Sequence, residues 1–161
     1  MEQALPALRA GRTARAVDWE LIDRLIGVRH PADLRELAGR YPTLSFGEYL
    51  LIGLPDPGRE REFVEGHRGS MELLAEYIAE GQVPPRYGSD LVQLGSTIDG
   101  DVLWWWPAPE RVVVMGHGGG WWEYDLGVVA FLTEVFAGRL DVPVFPRAAE
   151  EWGQDVGFHG E

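Results

Sequence analysis

His117-Gly118-Gly119-Gly120 carries the most suggestive chemistry in this chain. Consecutive glycines can turn their backbone N–H groups toward one point, and an HGGG segment in esterase-type hydrolases builds an oxyanion hole that way. That chemistry also needs a serine on a sharp strand-to-helix turn, G-x-S-x-G. None of the serines sits in one. Ser45 comes closest, in Thr43-Leu44-Ser45-Phe46-Gly47, but the first glycine is missing. The segment therefore reads as a turn between strands. Asp99-Gly100-Asp101 could open a calcium loop, with Glu110 at the twelfth position. Leu103, Trp104, Trp105 and Pro107 stand where oxygen ligands should be, so the pair reads as a hairpin turn. The histidines at 30, 67, 117 and 159 show no i, i+4 zinc spacing. Glu60/Glu62 and Glu150/Glu151 read as solvated faces.

These residues need elements to position them. Asp18 caps a helix whose Leu21, Ile22, Leu25 and Ile26 form one apolar stripe ending at Gly27. Pro31 opens a second, with Leu34, Leu37, Ala38 and Tyr41 inward. Residues 44–54 predict one strand, closed by Pro55-Asp56-Pro57-Gly58. Residues 60–80 have a helical pattern weakened by Gly66 and Gly69, with Ser70 a second cap. Leu91 to Trp122 is a meander: LVQLGSTI, the Asp99-Gly100 turn, DVLWWW, RVVVMGH, three glycines, then Trp121-Trp122-Glu123-Tyr124. Asp125 caps a last helix over 126–140. Helices and strands are segregated rather than alternating, which predicts an α+β fold: a curved antiparallel meander packed by N-terminal, middle and C-terminal helices. Residues 1–16 read as a mobile arm, 17–140 as one domain and 141–161 as a tail.

Trp104, Trp105 and Trp106 are consecutive, so on a strand they alternate between faces. Either both faces are covered, or one tryptophan is left out as an anchor for a partner.

With 45% apolar residues in 161, the chain can bury a core unaided. It has no cysteine, so disulfides and thiolate metal sites are excluded. No apolar run reaches membrane-spanning length and no signal-type apolar core stands at the start, so a cytoplasmic location is the default expectation. The basic residues are all arginine, read as coding bias. The net charge of −12 is uneven. Residues 90–161 hold 12 acids and 3 arginines, a balance of −9, against 14 and 11, or −3, before them. Such a field repels nucleic acid and attracts a basic partner.

In order and spacing these motifs resemble the SUKH superfamily, which includes bacterial toxin-immunity proteins and fungal cell-wall-synthesis regulators. The likeness rests on Trp19 with Leu21-Ile22 and Leu25-Ile26-Gly27, on Leu91–Gly95 followed by Asp99-Gly100-Asp101-Val102-Leu103-Trp104, and on Phe131-Leu132-Thr133-Glu134-Val135-Phe136 in the last helix. It spans residues 17–140. The resemblance implies an α+β fold, no catalytic residue, no cofactor, and the binding and occlusion of a partner, commonly a basic toxin domain. On this reading Asp99, Asp101, Glu110, Glu123 and Asp125 steer the partner, and Trp106 or Trp122 is the desolvated anchor. The alternative is a regulatory or scaffold protein of the same fold bound to a housekeeping partner.

Overall fold

Asp18 starts the first α-helix as the sequence predicts: its Oδ1 accepts the Leu21 N–H at 2.9 Å, and Gly27 closes the helix at φ 78°. In the computed structural model, which describes residues 1–160, this helix α1 spans Trp19–Ile26. Next come α2 (Ala32–Ala38), β1 (Thr43–Phe46), β2 (Leu50–Ile52) and α3 (Glu60–Ala79). The meander is β3 (Val92–Thr97), β4 (Val102–Trp106), β5 (Arg111–Met115) and β6 (Trp121–Tyr124). It leads to α4 (Val128–Phe136), α5 (Ala149–Trp152) and β7 (Val156–His159). All seven strands form one open antiparallel sheet in the order β6-β5-β4-β3-β2-β1-β7. The fold is α+β, as the segregated pattern predicts.

Strand alternation sorts the core into two. On the first face Leu44, Phe46, Leu50, Ile52, Leu103, Trp105, Val112 and Val114 pack with α2 and α4. On the second face Val102, Trp104, Val113 and Met115 pack with Leu74 of α3, Tyr87 and Leu91. Trp104 and Trp105 thus point to opposite faces and are both buried, while Trp106 is half-buried.

Four expectations differ from the structure. The strand expected over 44–54 is a hairpin: Gly47 (φ 59°) and Glu48 (φ 52°) turn the chain, and β1 pairs with β2. A Cβ at Gly47 would also press on the Trp152 carbonyl. Helix α3 runs unbroken through Gly66 and Gly69, and Ser70 does not cap it; its hydroxyl donates to the Gly66 carbonyl at 3.1 Å. Helix α4 starts later than Asp125. Gly127 is its N-cap, and Asp33 of α2 accepts the Val129 N–H at 2.9 Å, supplying the cap from another element.

The fourth difference concerns both ends of the chain. The segment expected as a mobile arm contains a short 3-10 helix, Pro6–Gly11, with Leu5 and Leu8 fully buried. Arg15 binds the Pro55 carbonyl and Asp56. The expected tail adds α5 and the edge strand β7 beside β1, and buries Val142 and Phe145. Gln154 donates to the Ala4 carbonyl at 2.8 Å, joining the two ends. Apolar side chains from both ends seal the first-face core, which is why neither hangs free.

Candidate functional site

Three hairpin turns meet at one end of the sheet: β1–β2, β3–β4 and β5–β6. Asp101 joins them. It is fully buried and accepts the Thr97 hydroxyl (2.8 Å), the Tyr49 hydroxyl (3.3 Å), the His117 N–H (3.0 Å) and His117 Nδ1 (2.7 Å). Burial pushes the Asp101 pKa up, but the bonds from His117 and Thr97 outweigh it and hold the carboxyl below its usual value. Burial raises the Tyr49 pKa to about 12, so its hydroxyl stays a donor. With Asp101 ionised, Nδ1 of His117 donates in this bond. The glycine turn is thus pinned by a carboxylate rather than poised over a nucleophile. Its cleft is lined by Tyr77, Gln82, His117 and Trp121 among glycines, and holds no serine or threonine.

A second network lies where β5 and β6 form the sheet edge. Glu123 accepts the Tyr87 hydroxyl (2.7 Å), Arg86 (2.7 Å) and Arg111 (3.0 Å). The Tyr87 bond lowers its pKa most; burial opposes this, and the arginines add to the lowering. Tyr87 also meets Trp106 edge-on at 4.9 Å and stacks on Trp121 at 5.2 Å. This assembly locks the meander edge onto the loop after α3.

The sequence-derived site is dispersed by this geometry. Asp99 and Asp101 belong to the Asp101 end. Trp106, Glu110 and Asp125 lie at the opposite end, a strand length of about 17 Å away. Asp101 needs correction: at 0% exposure it touches no partner, because its oxygens are spent on the turns. The charge of Glu123 is met by two arginines. Trp122 is half-buried and packs on the first-face core, beside Gly116 and Gly120. Asp99, Glu110 and Asp125 are exposed. Among the described residues Asp125 has one ion contact, a long one to Arg111 at 3.9 Å.

The second face of the sheet holds a surface not found from the sequence. Helix α3 packs over β4, β5 and Trp121 of β6, while beyond it Leu51 of β2 is 42% exposed and Ile98 is 75% exposed. Two shallow clefts meet there at Leu51 and Ser96. One, of about 220 Å³, runs against Gly66 and Ser70 of α3; the other, of about 390 Å³, runs past Ser45, Glu48 and Ile98 to His159. Leu51 was predictable: Leu50 and Ile52 point into the core, so Leu51 must point out. Reading 44–54 as one strand hid this. Ser45 Oγ lies 2.8 Å from His159 Nε2, and no carboxylate hydrogen-bonds His159 among the described residues. Nor do the described residues hold a His, Asp and Glu cluster able to bind a metal ion. No described helix is long and apolar enough to cross a membrane.

Compared with protein-family models, curated proteins and solved structures, the chain gives no match.

Proposed function

We propose that this protein is a non-catalytic binding module of SUKH type, an immunity protein that neutralises a toxin domain by occluding its active surface. The observation that carries this reading is how charge is spent. The buried or half-buried acids are committed to internal bonds: Asp101 to the turns, Glu123 to Arg86 and Arg111. Glu48, Asp90, Asp99 and Glu110 are exposed and form no ion pair among the described residues. With a net charge of −12, the free acids attract a cationic protein and speed its encounter. The α+β fold, an antiparallel sheet packed by helices, is the kind the resemblance implies.

The test is capture from the native host at low salt, elution by a salt step, and co-expression of what elutes. One basic protein whose toxicity is suppressed by co-expression is the expected result. A housekeeping complex with no toxicity to suppress would transfer the fold to a regulatory or scaffold role. No salt-sensitive protein at all would end the binding reading.

A further inference from the structure

Gly66 and Gly69 occupy the middle of the 20-residue helix α3, where each glycine costs about 1 kcal/mol relative to alanine. The fold does not require either one. A Cβ placed on Gly66 or Gly69 meets nothing within 4 Å. With Leu73, which is 39% exposed, they fall at i, i+3 and i+7 on one helix face. Gly66 also walls the cleft that crosses to Leu51 and Ser96. The result is a low-walled groove between a flat helix flank and the open strand β2, with Ile98 at its mouth.

The groove is mainly apolar, with Ser70, Gln93, Ser96 and His67 interspersed along it, and its outer rim is acidic. None of the chain's arginines lines either cleft. Glu48 lines the outer cleft, and Asp99 follows Ile98 directly. A second copy of this chain would bring the same acids to the same rim and be repelled. A cationic segment is favoured at the rim, and its apolar side chains find Leu51 and Ile98.

Resting on the binding reading above, we propose that this groove is the docking surface, and that its occupant is an amphipathic cationic segment of the partner protein. The segment's backbone approaches α3 closely over Gly66, with Gly69 beside the path on the outer flank. Its apolar side chains cover Leu51 and Ile98, and its lysines or arginines face Glu48 and Asp99.

The test uses the full chain in its own host, carrying a photoreactive benzophenone amino acid at Ile98, at Leu51 or, as reference, at Glu110. Irradiation should join one cationic protein to positions 98 and 51 with a yield at least about fivefold above that at 110, the contrast expected of a centre against a far rim. Adducts from position 110 alone would overturn the groove and leave the binding reading standing. Absence of adducts at all three positions would overturn both. An adduct with a second copy of this chain would overturn the cationic occupant. The double variant Gly66→Ala, Gly69→Ala supplies an independent readout. It should raise the thermal midpoint, since the added methyls meet open space, yet cut the yield from position 98 at least about threefold. A raised midpoint with an unchanged yield would remove the close approach over α3.

Discussion

Strands β4 and β5 are buried on both faces, whereas β1 and β2 are buried on one. The difference lies in what each half asks of its sequence. In β4 and β5 nearly every residue is core, so VLWWW and RVVVM read as continuous apolar runs. In β1 and β2 the burial alternates, and Ser45 and Leu51 face outward. One half is scaffold; the other is free to vary its outer face without disturbing the core. Substitutions in the two halves should therefore separate stability from binding.

The largest effect belongs to the scaffold. Trp104→Ala removes a fully buried ring from the smaller core and should cost about 3–5 kcal/mol. Urea unfolding measures it. Trp104→Phe should cost much less, because Nε1 of Trp104 is buried without a partner and its removal recovers a desolvation penalty. A loss under about 1 kcal/mol for the alanine variant would mean that this face is not a packed core.

The wall of the open half has a pH sensitivity of its own. His30, between α1 and α2, is 2% exposed, and neither ring nitrogen has a partner. It packs against Trp19 of α1 and against Phe63 and His67 of α3. Burial lowers its pKa to about 4; His67 and Arg35 add to the lowering, and Asp23 opposes it. Burial also lowers the pKa of His67. A depressed histidine leaves the unfolded chain with more bound protons below pH 6.5, so stability falls as the pH drops from 6.5 towards 4. The loss amounts to about 3 kcal/mol at the lower limit. His30→Phe should flatten the difference between urea midpoints at pH 7 and pH 4.5; equal slopes in the two proteins would assign the loss to other groups.

Asp101 comes next. Asp101→Ala leaves the buried Thr97 hydroxyl and the His117 N–H without their acceptor and should cost about 2–3 kcal/mol. Its depressed pKa acts in the same direction as that of His30, with stability lost as the pH falls, but in a more acidic window. Its contribution is complete above the unfolded value near pH 4 and disappears as the pH falls through the folded one. Asp101→Asn should shift the acid-unfolding midpoint upward least of all if His117 still donates to the amide oxygen. Amide exchange at His117 that stays slow in Asp101→Ala would show that the turn is held by something else.

Much of the scaffold was legible in local sequence, because its signals are local. Asp18, Gly27, Pro31 and the Asp99-Gly100 turn each act within a few residues. The parts that were not legible depend on distant residues. Asp101 reads as a surface turn acid until Tyr49 and His117 arrive from other hairpins. Helix α4 takes its cap from Asp33, and the two chain ends find their places only against each other and the first-face core. The turn at Gly47-Glu48 lacked the usual Asn-Gly signal and set glutamate at positive φ, so the open half of the sheet stayed hidden.

The smallest effect on stability is the one that bears most on function. Ile98, 75% exposed beside the β3–β4 turn, contributes little burial, so Ile98→Lys should change unfolding free energy by less than about 0.5 kcal/mol. It also places a cation beside Asp99 at the mouth of the groove. If a cationic segment docks there, affinity for the captured partner should fall at least about tenfold, and the dependence on salt should weaken. Leu51→Ala, at a residue already 42% exposed, should follow with a smaller loss. The decisive comparison is within one variant. Destabilisation of Ile98→Lys by more than about 1 kcal/mol would place Ile98 in the packing and erase the distinction between the two halves. An unchanged fold with lost affinity would locate the partner on the open half.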